Sequence, residues 1–269
     1  DWQVHRYLMN NKKDIVRWLK DDRANPEQGE HLYQRLGFSE QPELPINETL
    51  SIQIELGVQK SMMIRSYSTD PDKPDSVHLR SSNGDLKLPG TSIAGILRAQ
   101  ARRIAKLKLG SESDAEDLVN KIFGTEEPDE KGRLKGSHLV VSESVISNSP
   151  ADIIQNRIKI DAFTGGTYPG ALFNEMPVIG GTTEILLHIS KPLDAEAALL
   201  LFLVRDLWEG ILFIGGESSI GRGYLTGIAG SMRWKGRPYQ FNTRQGQFSL
   251  DAEPDFTDAL MAALKPSNP

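Results

Sequence analysis

Leu-Pro-Gly-Thr-Ser-Ile-Ala-Gly-Ile-Leu-Arg-Ala-Gln-Ala-Arg-Arg, residues 88–103, is where a polar loop gives way to a helix. Thr91 or Ser92 is the expected N-cap, and Gly110 is the expected stop. Between them Ile93, Ile96, Leu97, Ala101 and Ile104 recur at helical spacing and form one apolar face.

Upstream lies a polar segment, residues 59–88, of about 30 residues, a length at which loops are usually functional or disordered. Before it Leu50, Ile52, Ile54 and Leu56 alternate with Ser51, Gln53 and Glu55, which predicts a strand with one buried face. Residues 1–47 read as a helical appendage or linker. Trp2, Leu8, Ile15, Trp18 and Leu19 make a possible stripe, a second helical turn is expected at 31–36, and QPELPIN is extended. The chain begins without methionine, which reads as one portion of a longer polypeptide.

Downstream, an acidic connector over 112–136 leads to a strand around 138–146. A long hairpin with a glycine-rich tip follows over 154–181, then a strand at 183–189. A strongly apolar helix is expected at 194–209 and a short strand at 211–214. The glycine-rich loop GGESSIGRGYLTG feeds a last strand. Stripped of insertions, the order is strand, helix, strand, strand, helix, strand. That order predicts an α+β, ferredoxin-like (RRM-like) antiparallel sheet with two helices and a hairpin insertion. The expected domains are the appendage at 1–47, a main domain at 48–235 and a C-terminal tail at 236–269.

Hydrophobic residues make up 38% of the 269, enough for a core, and no apolar run is long enough to span a bilayer. The polar N-terminus is not a signal peptide. The absence of cysteine excludes disulfides, thiolate metal sites and a cysteine nucleophile, and suits a reducing cytoplasm. A net charge of −5 argues mildly against nucleic acid, but the charges are segregated along the chain. Between Asp85 and Glu112 there is no acid, while Lys87, Arg98, Arg102, Arg103, Lys106 and Lys108 lie there.

Three segments carry candidate chemistry. Gly90, Thr91 and Ser92 at a helix start present N–H and hydroxyl groups to an anion, with Arg98, Arg102 and Arg103 on the following turns. Gly216, Ser218, Ser219 and Arg222 lie in a loop whose glycines allow close approach of a ligand. This loop is neither a nucleophile elbow nor a complete dinucleotide fingerprint, and the chain has no phosphate loop. In the hairpin Arg157, Lys159 and Asp161 alternate with Ile158 and Ile160, and Thr164, Thr167 and Tyr168 lie near a tip suited to stacking on bases. Taken singly, the first reads equally as an ordinary capped helix, the second as a tight turn, and the third as a hairpin packed on a neighbouring subunit.

Together the three resemble the RAMP superfamily, and among its members the repeated backbone subunit of type III CRISPR effectors. The likeness rests on Leu-Pro-Gly-Thr-Ser-(x)₂-Gly-(x)₂-Arg, Arg-(x)₃-Asp-(x)₂-Thr-Gly-Gly…Gly-Ala-Leu-Phe-(x)-Glu and Gly-Gly-(x)₂-Ser-(x)-Gly-(x)-Gly, and runs from about Thr49 to Gly230. It implies a guide-RNA (crRNA) binding subunit stacked with other RAMP subunits, whose thumb at 154–181 displaces a base. It also implies that Gly90, Thr91, Ser92 and Arg98 lie against guide phosphates. The matching loop aspartate, Asp75 with Asp70 and Asp72 as alternates, would direct cleavage of single-stranded target RNA with Mg²⁺ or another divalent cation. His78 and Arg80 in the same loop would assist. Ala94 stands where the family often has lysine, and the first strand ends in GVQKSMM, not a glycine pair, so a divergent member is implied. A subunit that only binds guide or assists assembly, and a nuclease that processes guide RNA, are the alternatives.

Overall fold

The computed structural model describes residues 3–4, 13, 16, 30–31, 49–67, 74–128, 132–150 and 152–264. The chain divides into two units, Asp1–Ile46 and Asn47–Pro269. In the first, β1 (Gln3–Val4) pairs antiparallel with β2 (Glu30–His31). The stripe Trp2, Leu8, Ile15, Trp18 and Leu19 lies outside the described residues. So do the extended linker and all of the turn expected at 31–36 except His31, which is strand.

The second unit begins with β3 (Thr49–Val58), β4 (Ser61–Met62), β5 (Arg65–Tyr67), β6 (Ser76–His78) and β7 (Leu86–Leu88). Helices α1 (Gly90–Leu109) and α2 (Glu112–Phe123) follow, then β8 (Leu139–Val141), β9 (Ser144–Ser147), β10 (Gln155–Ile160), β11 (Thr167–Met176), β12 (Val178–Ile179) and β13 (Thr182–Ser190). The chain then forms α3 (Asp194–Trp208), β14 (Leu225–Trp234), β15 (Arg237–Arg244), β16 (Gln247–Asp251) and α4 (Pro254–Ala263).

The main sheet runs β16-β15-β14-β3-β13-β9-β7, with β8 also on β13, and every pairing is antiparallel. Its centre, β14-β3-β13 flanked by β8 and β9 and covered by α1 and α3, is the ferredoxin-like arrangement. The alternation in β3 decides its face: Leu50, Ile52, Ile54 and Leu56 are buried and meet Ile185, Leu187 and Ile189 of β13 in the core. Helix α1 adds Ile93, Leu97, Ala101, Ile104 and Ala105. Helix α3 is apolar nearly all round because it is walled in by α1, α4 and β14. Each fully buried leucine along it contributes about 1.5–3 kcal/mol.

Several expectations need correction. Helix α1 begins at Gly90 with Pro89 as N-cap, and neither Thr91 nor Ser92 supplies a side-chain cap. Gly90 sits so close to β8 that a Cβ would collide with the Val141 carbonyl oxygen, and this packing fixes the start. The acidic connector contains α2, capped by Ser111, which accepts a hydrogen bond from the Asp114 amide. Residues 211–214 form no strand, and Phe213 makes only an isolated bridge with Tyr224. The presumed tail extends the sheet through β15 and β16, and α4 stacks Phe256 on Tyr239 with centroids 4.5 Å apart. The polar 59–88 segment is not one loop: β4 pairs with β12, while β5 and β6 join the hairpin in a second sheet, β10-β11-β6-β5. The β11–β6 step is parallel and places Glu175 opposite Ser76.

Candidate nucleic-acid interface

The second sheet brings β5, the base of the β10–β11 hairpin and the glycine-rich loop together around five charged side chains. Arg222 is buried and its Nη1 donates to Glu175 Oε2 at 3.0 Å and also to Glu217, while Nη2 donates to Gln155 Oε1 at 2.6 Å. Arg157 Nη1 donates to the same two carboxylates, at 3.0 Å to Glu175 and 3.3 Å to Glu217. Arg65 Nη2 completes the group at 2.5 Å from Glu217 and 3.6 Å from Glu175. Burial pushes the Glu175 carboxyl up, but hydrogen bonding to Arg157 and the charge of Arg222 outweigh it and hold it below the usual range. Glu217 takes a left-handed conformation, φ 65°, at the start of a 3₁₀ turn, Ser218–Ile220. This conformation, rare for a residue with a side chain, lies within the ion-pair network.

Beside this network opens a cleft of about 440 Å³, lined by Arg65, Tyr67, Asp75, Arg157, Phe173 and Ser219 among others. Asp75 is exposed and its Oδ2 accepts a hydrogen bond from the Asn174 backbone N–H at 2.9 Å, so its loop is fastened to β11. Above the cleft the hairpin has two faces. Arg157 lies over Phe173 at 5.5 Å and Lys159 over Tyr168 at 4.9 Å on one, while Ile158, Ile160 and Leu172 are exposed on the other. At the tip Asp161 accepts from the N–H groups of Phe163 and Thr164, which holds its carboxyl below the usual range and leaves the Phe163 ring fully exposed.

A hairpin carrying cations and exposed rings above a cleft with an anchored aspartate suits contact with single-stranded nucleic acid. The sequence profile of the RAMP superfamily matches residues 56–226, well over half of the chain. The protein belongs to the RAMP superfamily. No curated protein matches this RAMP chain. Among solved structures it is similar to a chain in the cryo-electron-microscopy structure of the type III-B Cmr-β complex bound to cognate target RNA, at 16% identity and a TM-score of 0.49. The match covers 70% of this chain and 62% of that one, so the RAMP chain spans less than two thirds of that protein's length.

The RAMP fold separates the residues singled out in the sequence. Lys159 and Tyr168 lie together on the hairpin and Thr164 at its tip, while Arg157 and Ser219 reach the cleft with Asp75. Gly216 donates its N–H to the Met63 carbonyl, and Ser218 opens the 3₁₀ turn. Three of the five cations of the basic helix are taken up by acids. Arg102 pairs with Glu116 and Glu126, Arg98 with Glu126, Asn120 and the Gly124 carbonyl, and Lys106 with Glu112. Part of the charge segregated in sequence is thus paired in space, because α2 and the turn after it fold back on α1, while Arg103 and Lys108 stay exposed, one beside Gln100 and the other over the Phe202 ring. Gly90 and Thr91 line a separate shallow pocket with Arg98. Arg222, expected at phosphates, is 3% exposed and its guanidinium is taken up by Glu175, Glu217 and Gln155. Arg80 pairs with Asp152 and with the Gly84 carbonyl. Asp70 and Asp72 lie outside the described residues.

His78 is also reassigned. It is 1% exposed, its Nδ1 accepts from Ile64 N–H at 3.1 Å, and its Nε2 donates to the Lys87 carbonyl at 2.8 Å. Both nitrogens are committed to backbone in one neutral tautomer, so the ring ties the residue before β5 to β7. Burial, ahead of its other neighbours, pushes its pKa below 6.5. The unfolded chain therefore binds the proton first, and the contribution of His78, complete above pH 6.5, falls as pH drops through that value. His78→Ala is expected to lower unfolding free energy by about 1–3 kcal/mol at pH 7.5 in a denaturant titration. It should also flatten the loss of stability between pH 7 and 5.

Sequence reasoning missed Arg65, Tyr67, Glu175 and Glu217. The available signal was an acid and an arginine five positions apart in a loop otherwise made of small residues, Gly216–Gly223. Nothing local revealed that a glutamate on the hairpin would sit between them.

Proposed function

We propose that this RAMP protein holds a guide RNA as a backbone subunit of a type III CRISPR effector, and that Asp75 directs cleavage of the target RNA paired with the guide. The observation that carries the proposal is the fastening of Asp75 to Asn174 at the base of the hairpin, within one cleft. A nucleotide splayed by the hairpin would meet that carboxylate. Its partners are then crRNA, single-stranded target RNA and other RAMP subunits, in the cytoplasm. No described helix is long and apolar enough to cross a membrane.

RNA carries its own nucleophile, the 2′-OH, so in-line geometry supplies much of the acceleration. Asp75 would orient the ribose and hold the hydroxyl proton, and the hairpin would keep the nucleotide out of the stack. A single carboxylate fits the way Mg²⁺ binds when it keeps most of its waters and shares substrate phosphates, and there the ion would offset phosphate charge. The second reading is a subunit that binds guide without cutting, in which the Asp75 carboxylate serves only to fasten its loop to β11. Of the histidines a metal-independent nuclease would draw on, His78 is buried, and His188 Nδ1 is hydrogen-bonded to Ser51 at 3.0 Å.

The deciding experiment is target cleavage by the reconstituted guide complex, wild type against Asp75→Ala, with and without Mg²⁺. The proposal expects loss of at least about 100-fold in rate at the cut made by this subunit, with RNA binding intact. Unchanged cutting would remove Asp75 from the chemistry and leave the binding role.

A further inference from the structure

The network at the hairpin base has an unbalanced charge, and this is where the molecule offers more than a scaffold. Three guanidinium groups, Arg65, Arg157 and Arg222, face two carboxylates, Glu175 and Glu217, so three positive charges less two negative leave one positive. Among the described residues no ion pair joins Asp75, the remaining acid of the cleft, to any of these arginines. The surplus has a direction. Arg222 has 4% of its side chain exposed, whereas Arg65 has 42% and Arg157 32%. The closed end is neutralised and the open end is cationic.

The carboxylates also set the geometry. Arg157 is held through Nη1 alone and Arg65 through Nη2, each shared between both glutamates. A guanidinium carries five N–H donors, so Arg157, bound through one nitrogen, retains donors elsewhere, and Arg65, hydrogen-bonded to the Tyr67 side chain as well as to Glu217, is oriented from two sides and retains the rest. Two arginines fixed by carboxylates behind them, side by side in a cleft, match the needs of a phosphate oxygen pair.

We infer that Arg65 and Arg157 form a preorganised fork for one RNA phosphodiester at the base of the hairpin, with Glu175 and Glu217 aiming the fork and Glu217 competing with the phosphate for it. The inference rests on the reading that this chain binds RNA, and it names the group bound and the residues that bind it. The phosphate recognised can belong to an unpaired or a paired strand. Both are tested.

The experiment measures affinity of the full chain for a single-stranded RNA, and for the same strand paired with its complement, across a salt series. Wild type, Arg65→Gln, Arg65→Lys, Arg157→Gln and Glu217→Gln are compared, with thermal unfolding to verify folding. Loss of one phosphate contact makes the log–log salt slope shallower by about 0.7 for a single strand or 0.9 for a duplex. The fork expects that change in Arg65→Gln and Arg157→Gln, with affinity down about 3- to 10-fold, on whichever RNA form it grips. Arg65→Lys should keep the slope yet bind more weakly, because the charge remains and the fork does not. Glu217→Gln should bind several-fold more tightly, an outcome that a merely structural network would not give. Folded Arg65→Gln protein with the wild-type slope on both RNA forms would overturn the fork and leave RNA binding standing. Absence of salt-dependent binding by wild type would overturn RNA binding and the fork together.

Discussion

Glu175→Ala is expected to lower the unfolding free energy by about 3–5 kcal/mol, among the largest losses available from one side chain. Glu175 is 2% exposed and accepts from both Arg157 and Arg222, and Arg222 is itself 3% exposed. Removing the carboxylate leaves the buried Arg222 guanidinium to Glu217, which already holds Arg65 and Arg157, and to Gln155, and an under-compensated buried charge costs more than the pair contributes when intact. A denaturant titration of Glu175→Ala measures the loss. The double substitution Glu175→Leu with Arg222→Met separates the two causes, because it removes both charges and fills the space. It should recover at least half of the lost stability. A single Glu175→Ala change costing under about 1 kcal/mol would mean that Glu217 alone satisfies Arg222.

Gly223→Ala is the second large effect. Gly223 has φ +80°, and a Cβ there would collide with the backbone of Ile214, whose carbonyl oxygen lies directly in its way. The same residue donates its N–H to the Ser61 carbonyl at 2.7 Å, and its carbonyl accepts from the Ile214 N–H at 3.0 Å. The substitution therefore combines left-handed strain of about 1 kcal/mol with a clash against buried backbone, about 2–4 kcal/mol in all. Since Arg222 is the adjacent residue, the change should also loosen the ion-pair network and weaken RNA binding beyond the loss of stability. The companion change Gly221→Ala has φ +83° but open space around its Cβ, and should cost only the strain. Thermal unfolding of the two variants separates strain from collision.

How far the sequence can be read depends on where each signal resides. The alternation over Leu50–Leu56 and the helical stripe from Ile93 to Ile104 are local, and both elements form where they were expected. Helix α2 was obscured because its apolar set, Ala115, Leu118, Val119 and Ile122, shares the helix with four acids and reads as a charged connector. Strands β5 and β6 are three residues each, too short for any period to show. They exist because the edge of β11 offers β6 a backbone partner and β6 in turn offers one to β5.

Charge shows the division most clearly. By itself the sequence determined β3, α1, β13 and α3 in their order, the apolar faces that build the ferredoxin-like core, and the hairpin with its alternating cations. These follow from side-chain periodicity, a property of neighbouring residues. Only the tertiary structure decided which cations are available. The run from Lys87 to Lys108 looked like the cationic surface, yet α2 and the turn after it bring Glu112, Glu116 and Glu126 onto it. Arg222 looked equally free and is buried, while Arg65 carried no signal and stands at the mouth of the cleft beside Arg157. The reason is physical. The energy of a charge depends on burial and on partners within a few ångströms, and across 157 residues of separation from Arg65 to Arg222 only the fold sets those distances.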